Sequence, residues 1–186
     1  MAKTKKLTKK EELPAGVLSP QQVHELFGLS GPYEPPPPAI TTKGYTTWWD
    51  PGISIRELAR KHRALFSLPD LLDATLAKGT DSWKWRQLRQ TPVEPNLTFP
   101  EQQAKLKRGD DPAFARELVA FLVLHFLTTG ERLEMNRWRC RDVFPSGRRA
   151  IVGPFGSLGL EIANVSDEWK SPGICLSVMS TPRREK

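Results

Sequence analysis

The sequence predicts an α+β fold, and three features carry that prediction. The predicted helix 112–129 is apolar on almost every side from 118 to 127, four strand-like runs follow it, and short, well-punctuated helical segments precede it. A chain of 186 residues is long enough for one well-filled core and short for two. The predicted architecture is a central buried helix packed on a C-terminal antiparallel β-meander, with short N-terminal helices.

The central helix reads most clearly. Asp111 is a suitable N-cap, Pro112 suits the first position, Arg116 and Glu117 occupy the first turns, and Gly130 closes it. Between 118 and 127 only His125 interrupts the apolar run, and a helix hydrophobic all round belongs inside a protein. The runs 137–143, 148–153, 158–165 and 174–179 are separated by turn-rich segments, which predicts the meander.

Upstream, Ser19 can cap a helix over 19–27, Pro20 can open it, and Gln22 can close a capping box. Leu18 and Val23 sit at staple positions, and Gly28 can end the helix. Pro32 and the four prolines 35–38 predict an extended polyproline stretch. A second helix starts near Ile53 with Ser54 as its cap and Ile55, Leu58, Ala59, His62, Leu65 and Phe66 at helical spacing. Further helices are expected at about 69–76 and 101–106, whereas 83–88 reads as either a strand or a short helix, and 91–96 as extended. The implied organisation is a mobile basic, proline-rich segment 1–43 with one short helix, a single domain 44–181, and a tail 182–186.

Lysine and arginine number 28 against 21 acidic residues, a net charge of +7, which favours an acidic partner such as nucleic acid. Lys5, Lys6, Lys9 and Lys10, with Lys3, form a basic tail that suits either a solubilising end or a foot on an anionic surface. No apolar segment of the secretory kind follows that tail, and the run 118–124 is far below the roughly 18–20 residues of a membrane span. The two cysteines, Cys140 and Cys175, make no disulfide framework. A cytoplasmic protein with reduced thiols and no membrane contact is the expectation.

The hairpin register sharpens the charge argument. A turn at Pro145-Ser146-Gly147 would set Phe144 opposite Arg148 and Arg141 opposite Ile151. Trp138, Cys140, Ala150 and Val152 then share the core face, and Arg137, Arg139, Arg141 and Arg149 share the other. Alternate strand residues stand about 6.6–6.8 Å apart, so this is a compact arginine ladder able to pair with phosphates. The same ladder also suits a solvated outer face neutralised by Asp142, Glu161 or a covering segment. Trp48, Trp49, Trp83 and Trp85 fit either stacking surface or core.

Two segments resemble the opening helix of helix-turn-helix domains, LSPQQVHELFGLS at 18–30 and ISIRELARKH at 53–62. The first runs into Gly-Pro and four prolines where a recognition helix would begin, and the second lacks the turn glycine.

Catalytic patterns are sparse. His24, His62 and His125 sit on separate predicted helices without a Cys or His at ligand spacing, so no metal and no cofactor are expected. The glycine-rich run 153–159 leads into a strand and lacks the helix N-terminus of a phosphate loop. Cys140, between Arg139 and Arg141, reads either as a thiol of lowered pKa or, facing inward, as an inert structural cysteine. No catalytic residue is expected.

From about 80 to 165, the phrases WKWRQLRQTPVEPN, FPEQQAKL, ARELVAFLVLHFLTTGERL, RWRCRDV and GRRAIVGPFGSLGLEI resemble an uncharacterised family of small bacterial proteins. The resemblance implies that the central helix and the following strands form one folding unit, and it implies no activity or cofactor. Gly156 departs from the family's tendency to carry Asp after the position of Phe155.

Two functions follow as expectations. The first is a non-enzymatic binding protein that contacts nucleic acid through the arginine ladder and lysine tail. The second is a protein-interaction subunit docking onto a larger assembly through Leu18, Val23, Leu26 and Phe27, with the polyproline segment as a spacer. The oligomeric state is not legible.

Overall fold

In the computed structural model the described residues are 17–30, 42–67, 84–133 and 137–180. They form α1 (Pro20–Leu26), β1 (Tyr45–Asp50), α2 (Ile55–Lys61), a 3-10 turn (Arg63–Leu65), β2 (Lys84–Arg89) and α3 (Phe99–Gln103). Then come β3 (Asp110–Pro112), α4 (Ala115–Thr129), β4 (Arg137–Val143), β5 (Arg149–Gly156), β6 (Gly159–Val165), β7 (Ile174–Leu176) and β8 (Val178–Ser180). The class is α+β, with two four-stranded sheets ordered β1-β2-β8-β3 and β6-β5-β4-β7.

The apolar residues of α4 lie between these elements, as their all-round hydrophobicity requires. Leu118, Val119, Ala120 and Val123 are fully buried. Trp48 of β1 meets Phe121 edge-on at 5.9 Å, and α4 also packs against β4, β5, α1 and α2. Gly130 closes the helix in the left-handed conformation (φ 72°), which a glycine adopts without the Cβ clash.

The helix start differs from the reading at Asp111. Residues 110–112 form β3 instead, antiparallel to β8, and α4 begins three residues later. Its first N–H groups are satisfied otherwise: Ala115 N–H donates to Asp142 Oδ2 of β4 at 2.5 Å, and Phe114 N–H donates to Glu117 Oε2 at 3.3 Å. A cap drawn from a distant strand leaves no local sequence signature.

The meander is also revised. β4, β5 and β6 are antiparallel neighbours, but β7 joins β4 in parallel and β8 crosses to the other sheet. β1 was not legible in advance, although its Thr-Thr-Trp-Trp core is the composition strands favour. β2 resolves the 83–88 ambiguity in favour of a strand. α3 starts earlier than expected because Thr98 and Glu101 form a capping box with Pro100 in the first turn. The 69–76 helix and the polyproline stretch lie outside the described residues.

α1 has the predicted Ser19–Gln22 capping box, but it is not an appendage. Val23 and Phe27 are 0% exposed and belong to the main core. The start of β6 is pressed against the segment after α2. A Cβ on Gly159 would come within 2.7 Å of Ser67 N, so only glycine permits that approach.

Candidate nucleic-acid interface

The hairpin has the expected turn, with Phe144 N–H bonded to Arg148 O and Gly147 N–H to Phe144 O. Val143 pairs with Arg149, but further along Arg139, not Arg141, stands opposite Ile151. Two extra residues on β4 are absorbed between Arg139 and Val143. A slip of two preserves which side chains share a face, so Trp138, Cys140, Ala150 and Val152 still face the core and are all buried.

The arginine face, however, is covered, and the ladder is corrected to a set of internal clamps with two exposed members. Arg139 is 0% exposed. Its guanidinium donates to Gln102 Oε1 at 2.8 Å, Leu97 O at 3.2 Å and Trp169 O at 2.7 Å, with no carboxylate in ion-pair range among the described residues. Burial holds its pKa below the ordinary value, opposed by Asp167 and aided by Arg149. Gln102, itself buried, donates onward to Glu94 O and Ile174 O.

Arg149 is the second clamp. It grips both Asp167 oxygens at 2.8 Å, donates to Arg141 O at 2.5 Å, and lies 3.5 Å from the centre of the Phe99 ring. Together the two arginines bind α3 and the loop 166–171 onto β4 and β5. Arg137 and Arg141 remain exposed. Arg137 lies 3.5 Å from Glu161, while Arg141 sits over the ring of Phe114 at 5.1 Å.

Buried ion pairs consume further cations. Arg116 forms a bidentate pair with Asp50 at 2.7 and 2.6 Å, and Arg86 pairs with Glu117. These contacts join β1 and β2 to the first turn of α4. The cations left outward lie elsewhere. Arg56 and Arg60 are four residues apart on α2, exposed, and make no ion pair with a described residue. Glu57, the only acid on that helix, lies 3.8 Å from Lys61, and Arg63 continues the exposed line just beyond. The helical spacing of Ile55, Leu58 and Ala59 on the buried face is the signal in the sequence that places Arg56 and Arg60 on the opposite face. Arg148, at the β4–β5 turn, is likewise exposed and makes no ion pair with a described residue.

The other expected contact residues divide similarly. Val23 and Phe27 are consumed by the protein's own core, and Leu18 and Leu26 are partly buried against it. That corrects their assignment as partner anchors, because docking through them would require the core to open. Lys5, Lys6, Lys9 and Lys10 lie outside the described residues. Trp48, Trp49 and Trp85 are buried core rather than stacking surface; Trp83 lies outside the described residues. Two aromatics not singled out in advance, Phe114 and Trp169, are 38% and 47% exposed.

Cys140 is fully buried beside Asp142 and Glu117, and burial pushes its thiol well above the ordinary range, so it is a poor nucleophile. Among the described residues no three of His, Cys, Asp and Glu are grouped so as to hold a metal ion. Among the same residues no helix is long and apolar enough to cross a membrane. Comparisons with protein-family models, with curated proteins and with solved structures find no match for this chain.

Proposed function

We propose that this is a non-enzymatic binding protein that contacts the phosphates of nucleic acid through arginines left on its surface. The observation that supports this reading is the sorting of charge. Arg86, Arg116 and Arg149 are neutralised by carboxylates and Arg139 is enclosed, while Arg56, Arg60, Arg141 and Arg148 face solvent without a carboxylate partner among the described residues. An exposed guanidinium with free donors suits the bidentate geometry of phosphate oxygens. The lysine tail would add sequence-independent attraction at longer range.

The test is fluorescence anisotropy with labelled single-stranded DNA, duplex DNA and RNA at about 50 and 200 mM salt. Binding should weaken steeply with salt, and Arg56→Glu with Arg60→Glu should lower the slope by about one unit per lost phosphate contact. Absence of binding to all three at low salt would refute the reading.

A further inference from the structure

Among the described residues, Arg141 is the one outward arginine that covers an exposed ring, Phe114. Two residues back along β4, Arg139 holds the backbone carbonyl of Trp169, a residue 47% exposed. Arg149 ties Asp167, two residues before Trp169, to the carbonyl of Arg141 itself. Trp169 N–H donates to Ser166 O at 3.2 Å and Asn96 N–H to Ser171 O at 2.8 Å, so the loop is fixed at both ends. An indole is thus presented to solvent on a loop whose backbone is clamped by two buried or half-buried guanidinium groups.

From this juxtaposition we propose that Phe114, Arg141 and Trp169 form a stacking platform for the unpaired bases of single-stranded nucleic acid, a proposal that rests on the function given above. Duplex bases keep their faces covered by their neighbours, whereas a single strand offers both a π-face for Trp169 and a phosphate for Arg141. Charge complementarity favours this occupant over an apolar protein surface. Arg141 and Arg148 have no carboxylate partner among the described residues, and the nearest cation on the loop, Lys170, already pairs with Glu101 at 2.9 Å. Glu168, next to Trp169 on the loop, is exposed, and its removal should tighten binding.

The experiment titrates the full chain into a labelled oligothymidylate of about 16 nucleotides and into a duplex of equal length. It is repeated with Trp169→Ala, Trp169→Phe and Arg141→Gln. The platform predicts tighter binding to the single strand. It also predicts about tenfold weaker single-strand binding for Trp169→Ala with an unchanged salt slope, and substantial rescue by Trp169→Phe. Because Arg139 holds the carbonyl and not the indole, Trp169→Ala should keep the wild-type melting temperature, which checks that the fold survives. Salt-dependent binding that prefers duplex, or that ignores Trp169→Ala, overturns the platform and leaves the surface-arginine function standing. No binding to either probe at low salt overturns both.

Discussion

Arg139 of β4 and the arginines of α2 both stand at the period of their own structure, every second residue in the strand and every fourth in the helix, yet they have opposite fates. On β4, Arg139 is enclosed by α3 and the loop 166–171. On α2, Arg56 and Arg60 stand in solvent. The difference does not lie in the arginines. α2 buries Ile55, Leu58 and Ala59 and leaves its other side to solvent. By contrast, β4 buries Trp138 and Cys140 on one face and is covered at Arg139 on the other by α3 and the loop 166–171, with Arg137 and Arg141 exposed beyond that cover. Periodicity assigns side chains to a face, and only the rest of the chain decides whether that face meets water.

Mutations can break this contrast in order of size. Asp50→Ala should have the largest effect, since it removes the bidentate partner of the buried Arg116 and leaves it only the longer 3.7 Å pair with Glu117. Removal of one partner of such a pair costs about 3–5 kcal/mol, read as a lower denaturant midpoint at unchanged m. Arg139→Met should cost about 2 kcal/mol, because one buried and two part-buried acceptors lose their donor while a poorly compensated cation is removed from the core. An unchanged midpoint for Arg139→Met would mean that the clamp does not hold the loop.

The outward set should behave differently. Arg56→Gln with Arg60→Gln should shift stability by less than about 0.5 kcal/mol while weakening nucleic-acid binding, the reverse of the Arg139 substitution. A loss of several degrees in melting temperature would show that α2's outer face is structural as well.

The smallest effect is in acid. Lys170, together with the backbone and hydroxyl of Thr98, holds the Glu101 carboxyl down to about 2. A carboxyl whose folded pKa is depressed contributes stability above its ordinary value, 4.5, and loses it as pH falls towards 2. An NMR titration should therefore find the Glu101 midpoint near 2, and Lys170→Ala should move it upward. An unmoved midpoint would remove this tie between α3 and the loop that covers the arginines.

Much of the fold could be read locally. The Ser19–Gln22 box, the Ser54 cap, the apolar length of α4 and the β4–β5 turn all rest on contacts within a few residues, and each stands where its side chains place it. β3 was misread because Asp-Asp-Pro is equally good chemistry for a helix start, and pairing with β8, nearly seventy residues away, decided between them. Of the candidate site, Arg137 and Arg141 were legible as surface cations, and the helical spacing of Ile55, Leu58 and Ala59 puts Arg56 and Arg60 on the outer face of α2, but Phe114 and Trp169 were not legible. Exposure of those two aromatics depends on what fails to cover them, and no local pattern records that.

The sequence by itself determined the α+β class, the buried helix, the caps and the excess of positive charge, because these follow from periodicity, hydrogen-bonding chemistry and composition. The tertiary structure decided the parallel β7, the capping of α4 by Asp142 and which arginines are spent inside. Those outcomes turn on contacts between residues far apart in the chain, where burial sets the cost of a charge and only the assembled neighbours supply its partner.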